Sequence, residues 1–180
     1  MSLPKFRYHP DPLASGSVVA SDRTCRCCGE ARGYIYAGPV YAEDDLDGEL
    51  CPWCIADGSA HKKFDADFFD SESIDEDVSD KVMDEICERT PGYIAWQQGF
   101  WPACCGDATQ FITPAGNKDV ELGAHREWLH SVMEHIVRDM GISGGAAQRL
   151  LRALDRDQSP TAFLFKCASC GKPHVHIDHT

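Results

Sequence analysis

The sequence predicts an α+β fold in which cysteine knuckles of zinc-ribbon or treble-clef type pack with short β-hairpins and two to three helices. Three observations lead there. Ten cysteines among 180 residues include the close pairs Cys25/Cys28, Cys51/Cys54 and Cys167/Cys170. An apolar stripe recurs at helical spacing between Ala124 and Met140. Short aromatic or branched runs, bounded by glycine and proline, stand between them.

Each element follows in chain order. Residues 1–21 carry Pro4, Pro10 and Pro12 without a sustained period and read as an extended N-terminal arm. Residues 22–180 then form a single zinc-stabilised domain, with 22–60 as a first zinc module. Within that module Arg32 to Ala37 is aromatic and branched enough for a strand, with a second, weaker strand signal around Val40-Tyr41. The acidic run DSESIDEDVSD lacks the glycine and spacing of a calcium loop and reads as a solvated face. Ser73 and Glu76 have capping-box spacing, and Val78, Val82 and Ile86 recur every four residues, so a helix is expected up to Pro91. Tyr93 to Gln98 is a strand or a tight turn.

The clearest helix covers Ala124 to Met140, with Trp128, Leu129, Val132, Met133, Ile136, Val137 and Met140 on one stripe and Gly141 as its stop. A further helix runs from Ala146 to Leu154. Ala162 to Phe165 leads as a strand into the last knuckle, and Val175 and Ile177 alternate with His174, His176 and Asp178 beyond it. Residues 160–180 thus read as a C-terminal knuckle hairpin.

Charge and compartment narrow the function classes. With 29 acidic against 17 basic residues, the net charge of -12 opposes phosphate backbones, so nucleic acid is not the expected partner. A protein partner is. The N-terminal residues lack a secretory core and no segment reads as a membrane span, so a cytoplasmic location is expected. Thiols stay reduced there, which favours metal ligation over disulfides.

A structural zinc ion takes four soft ligands, commonly as two close pairs. Cys25, Cys28, Cys51 and Cys54 supply two pairs with 22 residues between them, room for a hairpin, and are the first predicted zinc site. Cys27 either replaces a neighbour or fills a gap, and the second reading is preferred. Cys167 and Cys170 have a less tidy mate in Cys104 and Cys105, because adjacent side chains rarely both reach one ion. One of those two with His174 or His176, or a three-ligand site, stays open. One zinc is expected and a second is an option.

An open three-ligand site would permit a zinc-dependent hydrolase, with Glu30, Asp107 or Asp178 as the base. Cys51-Pro-Trp-Cys54 would alternatively suit a thiol-disulfide redox protein, but acidic flanks and the upstream knuckle weigh against it. His125, His130 and His135 do not share a helix face. Phosphate cradles, nucleophile elbows and dinucleotide fingerprints do not occur, and no catalytic residue is assigned. Cys87 reads as a small buried residue.

The segments Cys25-Arg26-Cys27-Cys28-Gly29, Gly33 to Pro39, Leu50 to Gly58 and Thr90 to Gln98 together resemble the CbrC-like colicin-tolerance family of bacterial cytosolic proteins. The likeness runs from Pro4 to the C-terminal knuckle. It implies a binding or stress role, since one member is linked to tolerance of a DNA-degrading colicin, and it carries over no catalytic residue. Against the family pattern, a histidine is expected before Cys104 and a further cysteine shortly after Cys105. Thr109 stands at that second place.

Overall fold

A computed structural model describes residues 2–179. It is a mixed α+β fold made of three antiparallel sheets and six α-helices. Strand β1 (Val18–Ala20) pairs with β2 (Tyr34–Tyr36), so the last residues of the expected arm are regular structure. The arm also anchors itself before β1. Phe6 and Tyr8 are buried, and the Tyr8 carbonyl accepts the Phe111 backbone N–H at 2.8 Å. His9 is fully buried, with Nδ1 donating to the Pro91 carbonyl at 2.7 Å. Since a carbonyl can only accept, Nε2 must accept, and its partner is the Ser15 hydroxyl at 2.7 Å. Burial pushes this imidazole down to about 4.

The second strand signal, at Val40-Tyr41, becomes only a single bridge between Tyr41 and Asp67. Helices α1 (Pro52–Ala56) and α2 (Ser59–Phe64) follow the second cysteine pair, both too short to show a period in sequence. Helix α3 (Asp80–Arg89) buries Ile86 as its spacing predicts. Its expected capping box is not made. Ser73 instead ends a 3-10 turn at Ser71–Ser73, where the Asp70 carboxylate accepts the Glu72 N–H. Asp70 wins because its carboxylate reaches a free N–H two residues on, the usual Asx geometry.

Tyr93 to Gln98 is a packed loop without strand pairing. Strands β3 (Ala103–Cys104) and β4 (Asp107–Ala108) form a minimal hairpin, and β5 (Gln110–Ala115) opens the main sheet. Helices α4 (Asn117–Glu121), α5 (Leu129–Arg138) and α6 (Gly144–Ala153) come next. The stripe read over 124–140 starts as a 3-10 turn at Arg126–Trp128 and then becomes α5, with Trp128, Val132 and Ile136 buried. Val137 is 43% exposed and lies off the stripe. The three ten-residue helices are the ones periodicity can detect.

Strands β6 (Thr161–Lys166) and β7 (Pro173–Asp178) complete the sheet in the order β5-β6-β7. Every residue from Thr161 to Phe165 is buried, because β6 is central and covered on both faces. Phe163 and Phe165 join an aromatic core with Tyr93, Trp101 and Phe111, while Ala162 and Leu164 meet α5 and α6 residues. A third core, with Ile35, Leu50, Ile55 and Phe68, encloses Cys25, Cys51 and Cys54. No helix is long and apolar enough to cross a membrane among the described residues.

Candidate metal centres

Two segments 142 residues apart adopt the same knuckle. In the first, the Cys25 N–H donates to the Glu30 carbonyl at 2.9 Å and the Gly29 N–H to the Cys25 carbonyl at 2.8 Å. In the second, Cys167 donates to Lys172 at 2.9 Å and Gly171 to Cys167 at 2.9 Å. Gly29 and Gly171 take φ values of 75° and 73°, a left-handed conformation that only glycine adopts without strain. These glycines turn each chain so that both cysteines of a pair face one point.

The remaining sulfurs arrive by two other routes. Cys51 is the N-cap of α1, and Pro52 begins the helix with its fixed φ, so Cys51 and Cys54 share the first turn. This sequence of knuckle and then helix start is the treble-clef-like part of the fold. Cys104 and Cys105 converge by a different device. Cys104 pairs with Asp107 across β3-β4, and the two residues between them, Cys105 and Gly106, have φ of 57° and 72°. Positive φ at both central residues is what a type I′ hairpin turn requires. Adjacent cysteines rarely both reach one ion in extended chain, but here the I′ turn brings the Cys105 sulfur to 3.8 Å from that of Cys104.

The result is two tetrads, Cys25/Cys28/Cys51/Cys54 and Cys104/Cys105/Cys167/Cys170, whose sulfurs lie within 4.8 Å of one another in each group. Individual separations are 3.6 Å for Cys51–Cys54, 3.9 Å for Cys25–Cys54 and Cys28–Cys51, 3.8 Å for Cys104–Cys105 and 3.7 Å for Cys104–Cys170. Sulfurs at the corners of a tetrahedron about 2.3 Å from a central zinc stand about 3.8 Å apart. A disulfide needs about 2.05 Å, and all ten cysteines are free thiols. The donor set and spacing fit zinc.

The electrostatics agree. Hydrogen bonding from the Cys51 thiol, reinforced by the backbone N–H groups of Cys28, Cys51 and Cys27, pulls Cys25 down to about 4. That charge, with burial, pushes Cys51 up, and burial pushes Cys54 up to about 12. In the second tetrad the backbone N–H of Cys170 leads in pulling Cys167 down to about 6, while burial and its sulfur neighbours push Cys104 up. Cys25 and Cys167 are thus favoured as thiolates, while Cys51, Cys54 and Cys104 are held toward the thiol, and a bound cation would favour ionisation of all of them.

The two sites differ in surroundings. Cys25, Cys51 and Cys54 are buried and only Cys28 is exposed, whereas in the second tetrad Cys167 alone is buried. Cys27 stays outside, its sulfur 3.6 Å from the Ser59 hydroxyl. His174 and His176 join neither tetrad. They share the β7 face opposite Phe165 and Phe163, and His176 stacks on Phe163 at 6.4 Å. The carboxylates weighed as bases are engaged elsewhere. Glu30 pairs with Arg32, Asp107 accepts from Arg7 and Tyr8, and Asp178 accepts the Trp96 and Gln97 N–H groups. Thr109, at the position expected to be cysteine, is buried and donates to the Pro102 carbonyl at 2.7 Å.

A family model for an uncharacterised protein family, UPF0167, matches residues 3–179. The chain belongs to UPF0167. It is 44% identical to UPF0167 protein PA1536 of Pseudomonas aeruginosa over 99% of this chain and 98% of that relative. Against UPF0167 proteins Mb2317 of Mycobacterium bovis and MT2352 of Mycobacterium tuberculosis it is 42% identical, over 97% of this chain and 91% of each relative. No solved structure matches. UPF0167 is therefore the level at which the resemblance read from the cysteine segments holds.

Proposed function

We propose that this UPF0167 protein binds two structural zinc ions, one per cysteine tetrad, and acts by binding a protein partner in the bacterial cytosol. The observation that carries the reading is the spacing of the sulfurs, 3.6–3.9 Å for the separations measured in both groups. Four sulfurs complete a tetrahedral shell, whereas a catalytic zinc keeps one position for water. The engaged state of Glu30, Asp107 and Asp178 weighs in the same direction. Metal-held knuckles suit a reducing compartment, where thiolates persist. Tolerance of a DNA-degrading colicin, the role implied by the CbrC-like resemblance, would be exerted through such binding, and the acidic surface suits a basic partner better than nucleic acid.

Native mass spectrometry with elemental analysis, on protein purified without added metal, tests the reading. Two zinc ions per chain are expected. A metal-free, folded protein overturns it, as does a single ion that survives loss of either tetrad.

A further inference from the structure

Large apolar side chains left at the surface gather around one loop. Ile94 and Trp96 are 56% and 48% exposed, and Tyr41, which lines the same cleft as Ile94, is 50% exposed. The 93–97 loop has neither helix nor strand, yet its backbone is pinned. The Trp96 and Gln97 N–H groups donate to the buried Asp178 carboxylate at 2.6 and 2.8 Å. The Trp96 indole N–H donates to the Thr161 hydroxyl at 2.8 Å, and the Gln98 side chain to the Asp70 carboxylate at 2.7 Å. A loop held this way presents its exposed side chains to a partner with little left to order on binding. Single exposed apolar residues are ordinary, whereas three on one pinned rim have the character of an interface.

The cleft beside Ile94 has a volume of about 260 Å³ and lies between the Gly38 to Tyr41 segment and the 93–99 segment. Its accessible walls are Pro39, Tyr41 and Ile94. Asp47 is the one charged residue of this lining among the described residues. Its Oδ1 accepts the Val40 N–H at 2.9 Å, and it forms no ion pair among the described residues. The neighbouring acids Asp44 and Glu49 are matched by Arg26, which leaves Asp47 unmatched. Asp70 adds to the same field: burial raises the Tyr41 hydroxyl first, and the Asp70 carboxylate raises it further. Beyond Ile94 a second cleft is lined by Arg156 and Asp157 together, so that side carries no net charge. The apolar rim is therefore negative on its Tyr41 side. A second copy of this chain, at net charge -12, is repelled from such a rim, whereas a basic segment is drawn to it.

We propose that the rim of Tyr41, Ile94 and Trp96 is the docking surface for a basic, apolar segment of a partner protein, with an apolar anchor against Ile94 and Trp96 and a lysine or arginine on Asp47. The face of Tyr41 offers the same cation a ring to lie on. This surface rests on the protein-binding reading above and uses no metal-centre residue.

The test is selection of a phage-displayed random peptide library on the full-length protein as purified. Enriched peptides are then synthesised, and their affinities are measured by fluorescence anisotropy at low and at physiological ionic strength. Enriched sequences should carry lysine or arginine within a few residues of a bulky apolar side chain. Ile94→Ser should lower affinity about tenfold or more, as loss of an anchor does. Affinity should weaken with salt, and Asp47→Asn should lower it severalfold and flatten that dependence. Both substitutions change exposed side chains, and asparagine keeps an acceptor for the Val40 N–H. Unchanged circular dichroism and zinc content report that the variants remain folded. Peptides that bind both variants as tightly as the wild type would overturn this surface and leave the protein-binding reading standing. Enrichment of acidic sequences would overturn it through its charge, and enrichment of no sequence would overturn both readings. A wild-type dimer in sedimentation that Ile94→Ser dissolves would give the surface to a second copy and overturn it too.

Discussion

The sulfurs of Cys104 and Cys170 lie 3.7 Å apart although the two residues are 66 positions apart in the chain. Cys104 flanks a two-residue hairpin turn and Cys170 lies in a glycine-ended knuckle; the pairing of Gln110 with Lys166 brings the two turns to one end of the sheet, where a shared ion would staple them. Replacing Cys170 by Ser should lower the zinc count from two to one while the protein stays folded, because this tetrad is largely exposed. Replacing Cys54 should unfold the core around Ile35, Leu50 and Ile55, since its tetrad is part of that core. Cys27→Ser should keep both ions. Native mass spectrometry and circular dichroism on the three variants separate these outcomes, and a Cys27 variant that loses metal would contradict the ligand assignment.

Tyr93 tests the aromatic core by one atom. Its hydroxyl donates to the Phe100 carbonyl at 2.9 Å and accepts the Phe100 N–H at 2.7 Å, in a side chain that is almost wholly buried. Tyr93→Phe keeps the ring and strands both backbone groups. The expected loss is about 1–3 kcal/mol, read as a Tm decrease of about 2–4 °C per kcal/mol in a chain of this size. An unchanged Tm would mean that water replaces the hydroxyl.

Asp178 holds the 93–97 loop through two backbone N–H groups. Asp178→Asn removes the charge from both bonds and should cost about 1–3 kcal/mol. Amide exchange at Trp96 and Gln97 should accelerate well beyond that of β6. Uniform acceleration across the sheet would instead point to a global effect.

His9 makes acid stability measurable at one residue. Its folded pKa of about 4 lies below the usual 6.5, so between those values the unfolded chain takes up a proton that the folded chain refuses. The stability contributed by neutral His9 is complete above 6.5 and is lost as pH falls toward 4, at up to about 1.4 kcal/mol per pH unit. Urea unfolding at pH 7.5, 6.5 and 5.5 should show this slope in the wild type and a shallower one in His9→Gln. Comparing the two removes the shared effect of acid on the cysteines. Parallel slopes would contradict the buried neutral imidazole.

How much of this was legible in the sequence depends on local pattern. The first tetrad could be read because both pairs carry their own spacing, as could α5 with its leading turn, where Trp128, Val132 and Ile136 repeat at helical intervals. The second tetrad could be read only as a set of options, because the sign of φ at Cys105 is not written in a Cys-Cys dipeptide. The following Gly106 and Asp107 were the available signal, since a glycine at the second central position favours the I′ turn. Strand β5 was missed because Pro114 and a shift of register between Phe111 and Thr113 obscure its alternation. The arm looked irregular because its order comes from distant partners: Tyr8 from β5 and His9 from Pro91.

The placement of the tetrads along the chain also sets a timetable. The first needs nothing beyond residue 54, so on the two-zinc reading it can capture its ion while most of the protein has yet to be synthesised. The second waits for Cys170, 116 positions later. At bacterial translation speeds of about 20 residues per second, or nearer 5 when slow, the two events are separated by roughly 6 to 23 seconds. A cell starved of zinc during that interval would accumulate chains with a finished N-terminal half and an open C-terminal clasp.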